Sequence, residues 1–587
     1  MEKVQTREDQ AELEPSEGST KEARVPVEEV KEEAQHIHAK TFILLAAIVG
    51  VYAIQVLHLV GSGLLSNVIT SVVGGRNKST WVINPISIAA GTLGPPVSQA
   101  ADYWGRKWFV VVPTICGFVG CLILSRADNF GVLIVGQSIA AITAGAQPLL
   151  HAIASEITPR RYRSLAQSAV NAAASLGAIT GLLMGGALVR NTPSGFRVYF
   201  YITAGLYAVC VAVIILLYNP PLRELQTQLT TRQKLARLDW IGWAFFFPGL
   251  LLFCFALTSS SGVYPWKSAK IIGPLVVGAV LLICFALYEW KGTREGMLHH
   301  DLFSRGRNFA LAEAIQLVEG IVFFAATQYY GFEVSVLYDK SLFQAGLDYT
   351  VGWWTMIVAT TLCGIYCTWT KTIRPALTTA FVSFAIFSAT MASLNPHTRW
   401  SAVGFTPFFG IGLGIALNTL VTVAQLSTPP ELISLTTGLM IGTRSVGGTI
   451  ALAIYSAIFS GTLNDQIPRK VSNAAIPLGL DPKYLGELIG GLTEGNSTLL
   501  VEIPGITPGI IEAAGYGVKK AYTLAFRYCW ITAAAFAAVA VVGSLFIIDP
   551  KKEFNAHIDA PVETEDELKR GGITGKLHHN SHHGVAA

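Results

Sequence analysis

Charge is scarce in this 587-residue sequence. Lys, Arg, Asp and Glu make up only 14% of it, where a soluble domain carries about a quarter. That scarcity argues against a cytosolic enzyme. Basic blocks are missing too, and a net charge of +4 suits no polyanion, so no nucleic-acid partner is expected. The eight cysteines include no C-x-x-C pair, and Cys116, Cys121, Cys363 and Cys367 lie inside apolar runs. They read as small buried apolar groups rather than metal ligands or a redox pair. No G-x-x-x-x-G-K-[ST] sequence is present, nor a soluble stretch long enough for a nucleotide-binding domain. A His-Glu-x-x-His zinc helix and a nucleophile elbow are also lacking. The expectation is therefore a chain with no cofactor, no metal and no enzymatic chemistry, and no obligate protein partner is evident.

Apolar residues are abundant instead, at 51%, and they come in long runs. About 20 apolar residues cross the hydrocarbon core as a helix. Runs fall near 41–64, 81–101, 107–125, 130–153, 165–189, 198–217, 240–258 and 270–289, then near 308–332, 346–368, 375–394, 401–425, 433–460 and 525–547. The expected fold is an all-α polytopic membrane protein with fourteen spans. Six spans occupy 41–217 and six occupy 307–547, separated by a connection over 218–306 with two inserted spans. A long outer loop is expected at 461–524. Polar tails cover 1–40 and 548–587, and the first lacks the apolar core and cleavage site of a secretory signal. The second closes with His578, His579, His582 and His583 and reads as a solvated tail.

An even span count puts both termini on one side. With the termini cytoplasmic, the short inner loops hold fifteen Lys and Arg and the short outer loops nine, which favours that orientation. The two N-x-[ST] sequons, at Asn77 and Asn496, then both fall outside the cell. Asn77 sits close to span 2, so Asn496 is the better glycosylation acceptor.

The chain also repeats itself. TPRRYRSLAQSAVNAAASLG at 158–177 and TPPELISLTTGLMIGTRSVG at 428–447 share six of twenty positions without a gap. Each copy joins the fourth and fifth spans of a six-span block. Parallel repeats packed around a midplane cavity are a transporter architecture that works by alternating access.

The loop between spans 2 and 3 reads Ala101-Asp102-Tyr103-Trp104-Gly105-Arg106-Lys107. It resembles the signature of the major facilitator superfamily, G-x-x-x-D-[RK]-x-G-[RK]-[RK]. Asp102, Gly105, Arg106 and Lys107 match, while Ser98 and Tyr103 depart from it. An acidic group there can meet the positive end of a helix dipole on the opposite half. Arg106 can pair with Glu156 at the inner end of span 4, so the five residues form a candidate gate. The competing reading makes Arg106 and Lys107 positive-inside anchors only.

Fourteen spans, a long penultimate outer loop, Leu238-Asp239-Trp240, Arg444-Ser445-Val446-Gly447-Gly448 and Asp549-Pro550 together resemble the fungal trichothecene efflux pump family, relatives of fungal siderophore-iron transporters. The resemblance implies a plasma-membrane carrier that exports a toxin or secondary metabolite against protons. Siderophore-iron uptake with protons is the alternative, and a non-transporting sensor on the same fold is the alternative of a different class. Two features depart from drug:proton antiporters. Gln137 stands where span 4 often carries Arg, and span 5 keeps its glycines but lacks the usual Pro.

Charges at membrane depth are rare and usually functional. Glu313, Gln316 and Glu319 share an arc of about 120° in span 9, and Glu319 lies about 16 Å along the helix. With Arg444 in span 13 and His58 in span 1, the two glutamates are candidates for proton coupling; a static Glu–Arg pair that fixes packing is the competing reading. Gln147, Asn171, Gln316, Asn418 and Tyr330 are candidates for cargo binding, with interhelical hydrogen bonding the commoner role of such groups. The partners expected are a small molecule, protons and the bilayer.

Overall fold

The computed structural model describes residues 39–555 except 76–78, 80, 220–228, 260–266, 294, 295, 305, 495–499, 501 and 502. Both sequons and the histidine-rich tail lie outside the described residues. All secondary structure among those described is helical.

Seven helices form the first half: α1 (Ala39–Val73), α2 (Asn84–Trp104), α3 (Arg106–Ser125), α4 (Phe130–Ala141), α5 (Gln147–Glu156), α6 (Arg163–Val189) and α7 (Phe196–Leu217). A 3₁₀ segment, Ile142–Ala146, joins α4 to α5. Next come α8 (Trp240–Ser259) and α9 (Ala269–Lys291), the inserted pair. The second half holds α10 (Asn308–Tyr338), α11 (Leu342–Thr370), α12 (Arg374–Met391), α13 (Thr406–Leu426), α14 (Ile433–Ala475) and α15 (Pro508–Leu545). Twelve helices or continuous helical stretches among the described residues are long and apolar enough to cross a membrane. The α2 and α12 helices fall outside that set, although they have 21 and 18 residues, because α2 is diluted by Gly, Pro, Ser and Gln and α12 by Thr and Ser.

Local chemistry sets several helix ends. Asn129 caps α4 by accepting from the Val132 N–H, and Ser341 forms a capping box with Gln344 at the start of α11, each satisfying an otherwise orphaned donor. Gly105 separates α2 from α3 at φ +91°, a backbone region that glycine enters without a Cβ penalty.

The repeat is visible in the packing. α1 lies on α6 as α10 lies on α14; α3 packs on α4 and α7 as α12 packs on α13 and α15. Across the halves, α2 meets α14 and α11 meets α6. Paired glycines explain why the copies share residues. A Cβ on Gly177 would collide with the Ala53 carbonyl oxygen of α1, and one on Gly447 with the Leu317 carbonyl oxygen of α10. Such close backbone approach is how helices associate in a membrane, where no hydrophobic force drives them together.

One expectation needs correction. Residues 461–524 are not simply a loop: α14 continues to Ala475, α15 begins at Pro508, and a short helix spans Leu485–Glu494. Val471, Leu480, Leu488, Ile503 and Ile510 close a small apolar core there. The helices run on because their inward stripe stays apolar while Asp465, Gln466, Arg469 and Lys470 break the continuous run that a span requires.

Candidate functional site: a central cavity above a polar lock

Between the halves lies a small cavity of about 80 Å³. The α1 helix contributes Tyr52, Gln55 and His58 to its wall, and α5 contributes Gln147. Opposite them stand Phe323 and Phe324 of α10, Trp353 of α11 and Arg444 of α14. Hydrogen-bonding groups on α1 and α5 thus face aromatic rings and one guanidinium across a lining that is otherwise mostly apolar. Pockets that take drug-sized ligands measure roughly 300–1,000 Å³, so this cavity must widen before such a molecule fits.

Glu319 and Arg444 meet at the edge of this cavity. Arg444 Nε donates to Glu319 Oε2 at 2.7 Å and Nη2 to Oε1 at 3.4 Å. The guanidinium lies over the Phe323 ring, 4.2 Å from its centroid. Glu319 is fully buried behind Arg444, so the cavity meets the arginine and not the acid. Gln316 Nε2 adds a longer donor contact to Glu319 at 3.4 Å. A pair buried this way is stable only while both charges remain. A proton on Glu319 would cancel its charge and release the arginine. The Glu313 carboxyl lies beside Thr443 of α14 and has no other polar partner among the described residues.

At the end of the bundle that bears residues 549–555, the halves are locked. Arg106 pairs with Glu156 and donates to Ser434 Oγ of α14. Asp102 lies 3.4 Å from the same guanidinium. Lys107 turns away and ties to α7 through the Ile215 carbonyl, 2.9 Å, and Asn219 Oδ1, 2.6 Å. Beside this cluster, Ser155 Oγ donates to Gln425 Oε1 at 2.7 Å, and Arg163 Nη1 donates to the Gln425 carbonyl. Asn418 is engaged by α6: its Oδ1 accepts from Ser164 and its Nδ2 donates to Ser168 Oγ. The described C-terminal segment adds a strap, since Glu553 pairs with Arg160 at 2.9 Å and Asp549 accepts from the Ile373 and Arg374 N–H groups.

The structure therefore brings Arg106 and Glu156 together, and Glu319 with Arg444 and Gln316. Of the cargo candidates, Gln147 faces the cavity. Asn418 sits in the lock instead. Asn171 is buried in α6 with both amide atoms unpartnered among the described residues, and Tyr330 stacks on Tyr349 inside the second half. His58 lines the cavity and bonds Gln137 at 3.3 Å, so the α4 position that often holds Arg in antiporters here serves a histidine. Sequence reasoning missed Glu333, which lies just beyond the expected end of its span and accepts from Trp530 Nε1 at 2.7 Å. His151 was missed as well, being one polar residue among apolar neighbours. Among the described residues, no group of three His, Cys, Asp or Glu could hold a metal ion.

The fold is shared with solved transporters. The human organic anion transporter MFSD10 (TETRAN) aligns with a TM-score of 0.50 at 11% identity, covering 85% of this chain and 98% of that one. The major facilitator superfamily proton:xylose symporter XylE aligns with a TM-score of 0.50 at 12% identity, covering 90% and 100%. Sequence relatives include the MFS-type efflux pump MFS1 of Arthroderma benhamiae, 26% identical over 443 residues, or 75% of this chain and 78% of that protein. The MFS-type efflux transporter ffsH of Aspergillus flavipes is 25% identical over 515 residues, 86% of each chain. Trichothecene efflux pump TRI12 of Fusarium sporotrichioides is 25% identical over 476 residues, 78% of each. These are proteins of transport and not of catalysis. Residues 42–581 match the profile described as fungal trichothecene efflux pump (TRI12), and the chain belongs to that family of multi-spanning membrane transporters.

Proposed function

We propose that the protein exports a trichothecene-like secondary metabolite in exchange for protons, by alternating access across the plasma membrane. Fourteen spans serve this function. The twelve in the two halves, 41–217 and 307–547, rock about the cavity, and α8 and α9 form the inserted pair. Both termini lie in the cytoplasm, which makes the locked end the cytoplasmic one. Cargo exchanges protein contacts only after Arg106, Ser155 and Asn418 release their partners on the opposite half.

The observation that carries this reading is the Glu319–Arg444 pair at the wall of the enclosed cavity. A carboxylate that loses its ion pair on protonation couples proton binding to a change in the balance between the halves. Lining groups with hydrogen-bonding capacity on α1 and aromatic surface on α10 and α11 suit an uncharged molecule with one polar and one apolar face.

The test uses inside-out vesicles that contain the full chain, with a radiolabelled trichothecene as cargo. An acidic lumen should drive accumulation of the label, and collapsing the gradient should release it. Accumulation driven by an alkaline lumen would replace export with proton-coupled uptake of the kind expected of siderophore-iron symporters. Binding without movement under either gradient would favour a sensor.

A further inference from the structure

Helix α5 is only ten residues long, and the five-residue 3₁₀ segment above it sets it apart from α4. A 3₁₀ stretch inside a span often marks a hinge. Three of the four polar residues of α5, Gln147, His151 and Ser155, are spaced i, i+4 and i+8 and form one stripe along one face. The stripe runs from the cavity to the lock.

At the top, Gln147 Nε2 donates to the Tyr52 hydroxyl at 3.2 Å. Arg444 faces that same hydroxyl from the second half. In the middle, the His151 ring meets the Tyr52 ring edge-on, with centroids 4.8 Å apart. His151 Nδ1 lies 2.7 Å from Gln167 Oε1, while Gln167 Nε2 donates to the His151 carbonyl and, at 2.6 Å, to Ser155 Oγ. Those two donations fix the Gln167 amide orientation, which makes His151 Nδ1 a donor. At the bottom, Ser155 donates to Gln425, and Gln425 Nε2 donates to Thr437 Oγ1 at 2.9 Å. Every donor in this chain points the same way, from His151 through Gln167, Ser155 and Gln425 to Thr437. Aligned hydrogen bonds polarise and strengthen one another. Glu156, the next residue, holds Arg106.

The geometry points to α5 as the element that carries the protonation state of Glu319 to the lock, with His151 as its positioning residue. This inference rests on the proton-coupled reading above. Arg444 and Tyr52 are the charged or titratable groups that face Glu319 from neighbouring helices; Tyr52, Gln167 and Arg444 surround His151. Neutralising Glu319 frees Arg444 to compete with Gln147 for the Tyr52 oxygen. The top of α5 then loses its anchor and the helix pivots at the 3₁₀ segment. Ser155 and Glu156, rigidly joined to His151 by one helical turn, move off Gln425 and Arg106.

The test reads the lock directly. Ser98 of α2 is fully buried against Gly438 of α14 at the seam between the halves. In a chain with its native cysteines replaced, Ser98→Cys reports opening through its reaction rate with an impermeant maleimide in inside-out vesicles. Glu319→Gln, which imitates the protonated acid, should raise that rate about five-fold or more, the low end of inter-site coupling. His151→Phe keeps the ring against Tyr52 but cannot bond Gln167, and there the response should shrink below about two-fold. His151→Asn, whose amide nitrogen can replace Nδ1 as donor, should restore it. Gln167→Met provides a second break of similar size should the phenylalanine chain fail to reach the membrane. An undiminished response in His151→Phe or Gln167→Met overturns the inference while leaving proton coupling intact. No response to Glu319→Gln in the parent chain overturns the coupling reading itself, and the inference with it.

Discussion

The two repeat copies share a backbone arrangement and differ in their charge. Gly177 and Gly447 bring α6 against Ala53 and α14 against Leu317 in the same way. Counting on from those contacts, Gln55 takes the place of Glu319, and Ala174 the place of Arg444. All but Glu319 line the cavity; Glu319 stands behind its arginine. In one half, then, the central crossing is neutral; in the other, it is a buried ion pair. The lock repeats the pattern with the copies exchanged. Ser164, from the first copy, meets the neutral Asn418, whereas Ser434, from the second, meets the charged Arg106. Duplication explains the scaffold, and departure from duplication marks the residues proposed to change state.

Experiments on equivalent positions can break or sharpen this comparison. The largest effect belongs to the glycines. Gly177→Val and Gly447→Val should each cost on the order of 3 kcal/mol through collision with backbone that cannot yield. Both should abolish the monodisperse peak in detergent size exclusion. Gly205→Ala, where a Cβ meets nothing within 4 Å, should behave as the parent does. A tolerant Gly447→Val beside an intolerant Gly177→Val would end the claimed equivalence.

At the lock, Arg106→Ala leaves Glu156 without its main cation and cuts the tie to Ser434 of the other half. Turnover should fall at least about ten-fold while surface expression stays close to the parent's. Asp102→Asn should act in the same direction and less strongly. In the neutral lock, Ser164→Ala removes one hydrogen bond, to Asn418, worth about 1 kcal/mol, and its turnover should drop only a few-fold. Initial-rate assays on matched expression levels check the ranking, and equal losses at Arg106 and Ser164 would contradict it.

Asn496→Gln should show the smallest effect on transport, which is none. Glycosidase should shorten the parent by one glycan and leave this variant unchanged in gel mobility. Labelling of 461–524 only from the cytoplasm would reverse the orientation of the whole chain.

Much of this was legible in the sequence because long apolar runs report spans directly. The twenty-residue alignment of 158–177 with 428–447 also announced the duplicated crossing, since the glycine needed for close approach persists in both copies. Arg106 and Glu156 were readable as partners because each closes the same end of a neighbouring span. What escaped were contacts made at long sequence distance. Ser155 and Gln425 are 270 residues apart, and nothing local to either hints at the other. His151 looks like an incidental polar residue until Tyr52 and Gln167 surround it. Glu333 was lost to a span end placed near 332, whereas α10 runs on to Tyr338. The helical extension of α14 escaped because a span is sought by uninterrupted apolarity, whereas the extension carries a polar face beside its apolar stripe.

Proton coupling by one copy alone rests most directly on the inequality of Gln55 and Glu319. Counterflow exchange and gradient-driven accumulation of a radiolabelled trichothecene should be measured in the same vesicles for Glu319→Gln and for Gln55→Leu. Glutamine keeps size and hydrogen bonding at position 319 but cannot titrate, so exchange should survive and accumulation against the gradient should vanish. Gln55→Leu should still accumulate cargo, with a weaker apparent affinity. Accumulation by Glu319→Gln with the parent's pH dependence would contradict the assignment of proton coupling to the charged copy.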